Sequence, residues 1–190
     1  MDSLTIGQAA PLFEIAGDNN RRISNKTLQG RPAVLFFYPQ DDTPTCTNEA
    51  LGFSSLAGRF KRIGVALIGI SPDPARSHQK FRQKYGLKMT LASDESLAAI
   101  KAFGLWGEKT TFGRTYLGVE RATFLLDADG IIQGMWRQVR VRGHAEAVLE
   151  AAERLKPRPP TAAANSISSE AAQALEQQDR QQPASGPFRP

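Results

Sequence analysis

One cysteine, Cys46, occurs in 190 residues. That scarcity excludes an internal disulfide framework, a paired CxxC redox motif and a cysteine-rich zinc site. Histidine is almost as rare, with only His78 and His144, so neither a protein-built metal site nor a cofactor is expected. Both histidines read as surface or helix-cap residues, His144 at the start of the last helix. No stretch approaches the roughly 18 apolar residues that span a bilayer. The start, Met1-Asp-Ser-Leu-Thr-Ile6, lacks a basic region followed by an apolar one, which argues against a secretory signal. A reducing, cytoplasmic compartment and no membrane partner are therefore expected.

Acidic charge is in mild deficit, giving a formal net charge of +5, but the excess forms no long run. The densest piece, Arg137-Gln-Val-Arg140-Val-Arg142, alternates as a strand does and reads as a solvated strand face. No nucleic-acid partner is expected from it.

What the chain does contain is an ordered βα alternation. Leu12–Ala16 and Arg21–Ser24 read as a hairpin around the Gly17-Asp-Asn-Asn20 turn, with Ser24 or Asn25 capping a single helical turn that stops at Gly30. Ala33–Tyr38 and Val65–Ile70 are continuous apolar runs of strand length, which suits central strands covered on both faces. Between them, Thr45–Arg62 carries helical spacing at Ala50, Phe53, Ala57 and Phe60. Asp73 and Pro74 open a helix with Phe81 and Tyr85 at i, i+4. Thr90–Ser93 is a short strand, and Asp94 or Ser96 caps a helix closed by Gly104. Leu105–Gly118 reads as irregular. Arg121–Leu126 and Ile131–Val141 form a hairpin about Asp127-Ala-Asp-Gly130, and His144–Leu155 is a last amphipathic helix. Right-handed crossovers then give an α/β fold: a mixed central sheet flanked by helices in a thioredoxin-like arrangement, with an N-terminal β-hairpin. Residues 1–156 read as one domain. Residues 157–190 hold six of the twelve prolines with much Ala, Gln and Ser, and read as a disordered tail.

Most lone thiols are simply buried small hydrophobes, so Cys46 needs local evidence. Ala33–Tyr38 delivers the chain to Pro39 and a polar loop, and the thiol then falls in the first turn of a helix. Pro44 suits the first helical position, where its missing N–H costs nothing. The unpaired N–H groups of a first turn favour an anion, and nearby cations add to this. Thr43, three residues before Cys46, can bring its hydroxyl to the same pocket, and Pro39 can shield it with a ring that offers no N–H. Selective reduction of an O–O bond also needs donors for the departing oxygen, a task that suits a guanidinium. Arg121 opens an apolar strand and, taken alone, reads most simply as a rim residue.

Tyr38-Pro-Gln-Asp-Asp-Thr-Pro-Thr-Cys-Thr-Asn-Glu-Ala50 resembles the active-site segment of the peroxiredoxins, most closely the peroxiredoxin Q or bacterioferritin comigratory protein group. Trp106-Gly-Glu-Lys, Tyr116-Leu-Gly, Arg121-Ala-Thr-Phe-Leu-Leu-Asp and Val141-Arg-Gly-His-Ala-Glu146 are similar to further segments of that group, in the same order. The resemblance spans about residues 5–155. It implies a thioredoxin-like fold, with Cys46 as peroxidatic cysteine, Thr43 and Arg121 as its activating partners and Pro39 as its shield. The chain departs from the pattern at Thr45, where glycine is usual, and at Leu51, where many members carry a resolving cysteine.

The expected activity is therefore a 1-Cys thiol peroxidase. Hydrogen peroxide or an organic hydroperoxide oxidises Cys46 to a sulfenic acid, and an external thiol recycles it: thioredoxin, glutaredoxin or glutathione. A peroxide-sensing module without efficient recycling is the alternative, and a Cys–His thiol hydrolase is a weaker third. The resemblance implies a monomer or weak homodimer.

Overall fold

The computed structural model describes residues 4–18, 21–111 and 113–155. They fall in one compact unit, Met1–Lys156; the remainder, Pro157–Pro190, lies outside the described residues, and with it the tail read from composition. The elements in order are β1 Glu14–Gly17, β2 Arg22–Ser24, α1 Asn25–Leu28, β3 Ala33–Phe37, α2 Pro44–Arg62, β4 Ala66–Ser71, α3 Ala75–Tyr85, β5 Thr90–Ser93, α4 Ala98–Ala102, β6 Trp106–Thr111, β7 Arg114–Val119, β8 Ala122–Leu126, β9 Ile132–Arg137 and α5 His144–Glu153. Seven strands form a mixed sheet in the order β2-β1-β5-β4-β3-β8-β9.

The apolar runs occupy the centre of that sheet for the reason their composition suggests. Strand β3 pairs in parallel with β4 and antiparallel with β8, and all five of its residues are buried. Its side chains alternate between two cores. Ala33, Leu35 and Phe37 face one that holds Phe103 and Phe124. Val34, Phe36 and Tyr38 face another, built with Phe53 and Phe60 of α2 and Val148 of α5. Phe36 stacks on Phe53 at 4.5 Å between centroids. Opposite Phe36 in the register stands Gly69, where a Cβ would lie 2.6 Å from the Phe36 ring. The glycine in an otherwise apolar strand is thus the space that this ring requires.

The N-terminal hairpin forms as expected, β1 with β2, although it starts at Glu14 and leaves Leu12 exposed. Ser24 caps α1 in a reciprocal pair of hydrogen bonds with Thr27. Helix α4 begins at Ala98, four residues after Asp94. The N-cap is Leu97 rather than either expected residue, although Ser96 accepts from the Ala98 N–H and Asp94 from the Ile100 N–H at the start of the helix.

Two expectations fail. Residues 106–119 are not irregular: β6 and β7 form a separate two-stranded ribbon. Gly107 and Gly118 interrupt both strands, and the ribbon stands outside the central sheet, so it lacks the long buried apolar runs of β3 and β4. Strand β9 stops at Arg137 rather than Val141. Gln138 takes a positive φ of 49°, its N–H bonds Glu120, and the Val139 N–H bonds the Arg121 carbonyl at 3.1 Å. The arginine-rich segment is therefore a loop folded against the start of β8, not a strand face.

Candidate active site

Backbone register brings distant residues to one end of the sheet. Phe37, the last residue of β3, pairs with Ala122, the first of β8. Arg121 therefore leaves β8 beside Tyr38 and the loop that enters α2. The Tyr38 N–H still bonds the Ile70 carbonyl, so the loop departs from a fixed point. Thr43 is the N-cap of α2 and Pro44 the first helical residue. Cys46 is then the third helical residue, inside the first turn, where N–H groups lack intrahelical partners.

Cys46 is 3% exposed, and the Nη2 of Arg121 donates to its sulfur at 3.1 Å. The Nη1 of the same guanidinium bonds Oε2 of Glu49. Cys46 and Glu49 are i and i+3 on α2, so they share a face, and one planar fork spans both. Glu49 is buried and its Oε1 has no partner among the described residues. Burial raises the Glu49 carboxyl to about 7 against the opposing pull of Arg121. Burial alone would lower Arg121, but Glu49 and the Cys46 sulfur outweigh it and hold the guanidinium above its ordinary range.

A second layer lies behind the arginine. Thr123, two residues along β8 and so on the same side, has its hydroxyl 2.8 Å from Nε2 of His144. Burial first, and Arg121 second, lower His144 to about 4. Its ring stands edge-on to Phe53 and Trp136. His144 does open the last helix, but as a buried neutral group rather than a surface cap.

The loop before Cys46 is held from the other side by α3. The buried carboxyl of Asp41 accepts from the Tyr38 hydroxyl at 2.7 Å and the Ser77 hydroxyl at 2.7 Å, and lies 2.9 Å from Nδ1 of His78. The Asp41 N–H donates to Asp73, which also accepts from Ser71. Burial, together with Asp41, drives Tyr38 well above the ordinary tyrosine range. Asp42, at a φ of 58°, bonds Lys84 and Tyr85. The surface placement expected for His78 is wrong: it is fully buried, because α3 turns it inward to the Asp41 carboxyl. Asp73, expected only to mark the start of α3, buttresses this loop instead.

Of the four residues singled out in the sequence, Cys46 and Arg121 meet directly. Thr43 sits at the helix start, but its hydroxyl donates to the Gln40 carbonyl at 3.1 Å, and no hydrogen bond joins it to the sulfur. Pro39 leaves β3 on the exposed side of the loop. Glu49 and the Asp41–His78 pair were missed. A carboxylate within the apolar stripe of α2, three residues past the thiol, was a readable signal for Glu49. Asp41 offered none, since its partner is 37 residues away.

A thioredoxin-like sheet that holds one thiol at a helix N-terminus under a guanidinium defines a thiol-based redox protein. Comparison with known proteins narrows the class. Residues 6–135 match the AhpC/TSA family. The "Putative peroxiredoxin bcp" of Coxiella burnetii is 42% identical over 77% of this chain and 97% of its own length, and "Peroxiredoxin Bcp" of Bacillus subtilis is 39% identical over 78% and 94%. Among solved structures, the bacterioferritin comigratory protein of Xanthomonas campestris superposes with a TM-score of 0.72 at 36% identity, covering 80% of this chain and 98% of that one. Xylella fastidiosa PrxQ gives 0.75 at 32% identity over the same shares. The chain belongs to the AhpC/TSA family, on the branch of the Bcp and PrxQ peroxiredoxins. It is a thiol-dependent peroxidase that takes a peroxide as substrate and a thiol as reductant.

Proposed function

We propose that Cys46 is the peroxidatic residue and that the cycle is completed by an external thiol. The Cys46 thiolate attacks one peroxide oxygen, the O–O bond breaks, and the departing alkoxide takes up a proton to leave as ROH. Cys46 remains as the sulfenic acid. A thiol R′SH then displaces water to give the mixed disulfide, and a second R′SH releases Cys46 and R′SSR′. The observation that carries this reading is the 3.1 Å bond from Arg121 to the Cys46 sulfur. The guanidinium is fixed beside the sulfur, and its donors are at hand for the charge that develops on the leaving oxygen. Thr43 and Pro39 complete the site in this reading, the hydroxyl turning from Gln40 toward bound peroxide and the ring excluding water.

Cys46 has no second cysteine in the chain to condense with, and Leu51 is an exposed apolar residue. Thioredoxin, glutaredoxin or glutathione is therefore the expected reductant. The bacterioferritin comigratory protein of X. campestris has alkyl peroxide reduction activity, and organic hydroperoxides are the matching substrates here beside hydrogen peroxide. Residues 1–156 would be the catalytic domain and 157–190 a dispensable tail, in a cytoplasmic monomer or weak homodimer. Among the described residues no helix is long and apolar enough to cross a membrane.

Peroxide loss followed with each of the three reductants, for wild type beside Cys46→Ser, tests the assignment. Turnover that survives the substitution overturns it. The lone cysteine also favours a second reading, a peroxide sensor. Oxidation of Cys46 with no sustained turnover on any reductant would select the sensor.

A further inference from the structure

At the other end of the sheet from Cys46 lies a cavity of about 650 Å³. Strands β3 and β4 run parallel, and the thiol lies beyond their C-terminal ends. The cavity instead meets Val65 and the first residues of β4, Ala66, Leu67 and Ile68. Five residues of β3 separate the two regions, about 16 Å of strand. The cavity's size falls within the ~300–1,000 Å³ of small-molecule sites.

Its lining has two chemistries. The apolar part comes from both faces of the sheet: Leu28 packs against the core that holds Phe124, whereas Leu67 and Met89 belong to the core that holds Phe53. The rim is basic: Arg21, Arg31, Lys61 and Lys88 line it together with Arg22, and among the described residues no carboxylate does. Arg22 is neutralised by Glu14. Arg31 spends only its Nε, on the Gly64 carbonyl at 3.3 Å. Neither Lys61 nor Lys88 has a side-chain hydrogen bond or ion pair among the described residues, although both are exposed on the same rim. Lys61, Lys88 and Arg31, with no carboxylate among the described lining residues, leave this rim positive and favour an anion.

The sheet adds a third feature. Ala66 and Leu67 pair with Ala33 and Val34 of β3 on one side. On the other side β5 begins only at Thr90, opposite Ile68. No strand pairs with Ala66 and Leu67 there, so the cavity meets a strand flank rather than a closed ladder. A flat apolar body with donors and acceptors along its edge matches that flank, and phosphates match the lysines and arginines.

We propose that this cavity is a binding site for a nucleotide, its base against Leu67 and Met89 at the start of β4 and its phosphates at the Lys61–Lys88 rim. The site is independent of the peroxidase chemistry and does not rest on the assignment of Cys46.

Calorimetric titration of the full chain with ATP, tripolyphosphate and adenosine separates the contributions. ATP should bind saturably and at least about tenfold more tightly than either fragment, since each half of the site contributes on the scale of one such factor. Lys61→Glu and Lys88→Glu should each weaken ATP about tenfold or more. Leu28→Trp, which fills part of the cavity from its apolar lining, should weaken ATP and leave tripolyphosphate unchanged. Cys46→Ser should bind as wild type does. Circular dichroism verifies that each variant is folded, and Lys61→Gln offers a milder change should the charge reversal disturb the fold. The proposal is overturned if ATP shows no saturable binding up to about 1 mM, the weak end of specific affinity. It is equally overturned if tripolyphosphate binds as tightly as ATP, which would mean a surface basic patch, or if single-stranded RNA binds far more tightly than ATP, which would mean a polymer groove.

Discussion

The guanidinium of Arg121 bonds the sulfur of Cys46 and the carboxyl of Glu49 at once. The two partners lie one helical turn apart on α2, 75 and 72 residues before it in sequence. A single planar group thus holds the sulfur and a buried carboxyl on one face. Substituting Arg121→Ala should lower the rate of Cys46 oxidation by ~10²–10³, the usual cost of losing one preorganised donor to developing charge. Arg121→Lys should recover only part of it, because an ammonium cannot span both partners. Stopped-flow peroxide kinetics measure both, and an unchanged rate in Arg121→Ala would remove the arginine from the mechanism.

Leu51 follows Cys46 by five residues in an unbroken helix. At 1.5 Å per residue the two Cα atoms are separated by at least about 7.5 Å along the axis, beyond the ~7 Å limit for a disulfide. A Leu51→Cys variant should therefore form an internal disulfide on oxidation only by unwinding the start of α2. Mass spectrometry should show that disulfide in the variant alone, accompanied by a loss of helical circular dichroism. Wild type should stop at a sulfenic acid that a dimedone reagent traps.

Burial sets Glu49 at about 7, against 4.5 for the ordinary carboxyl. Between those values the folded state keeps a proton that the unfolded chain has released, so stability falls as pH rises through this window. Relative to Glu49→Gln, wild type should lose about 3 kcal/mol between about pH 5 and pH 8. Urea unfolding at the two pH values measures this, and parallel curves for the two proteins would refute it.

His144 has the opposite sign. Its folded value of about 4 lies below the ordinary 6.5, so the unfolded chain binds the extra proton and stability is lost as pH falls from 6.5 toward 4. Where the windows overlap, the two groups oppose each other. His144→Gln should therefore steepen the loss of stability with rising pH that Glu49 causes, readable as urea midpoints across that range.

Asp41 accepts from Tyr38 and Ser77 and pairs with His78, all at the buried end of the loop that carries the thiol. Removing it in Asp41→Ala strands several buried polar groups and should cost about 3–5 kcal/mol. It should also slow Cys46 oxidation, although Asp41 does not bond the sulfur. A fall in unfolding free energy without any change in the peroxide rate would separate the loop's anchor from its function.

Sequence alone was enough for the central strands, the helix that starts at Pro44 and the placement of Cys46 in its first turn. These are local matters: apolar runs, a proline at a helix start and glycine stops act within a few residues. It also pointed to Arg121, through a resemblance rather than through any local pattern. What surrounds the thiol was settled by the fold. The β3–β8 register carries Arg121 to the sulfur, α2 turns a buried Glu49 to the same arginine, and α3 brings His78 to Asp41 across 37 residues. The ribbon at 106–119 and the loop at 138–143 escaped the sequence reading for a related reason. Hydrophobic periodicity reports burial in a core, whereas these segments are fixed by backbone pairing and by the Gln138 and Val139 bonds to Glu120 and Arg121. Local chemistry makes a thiol available. Long-range packing supplies its charge partners, because groups buried together must satisfy one another wherever they lie along the chain.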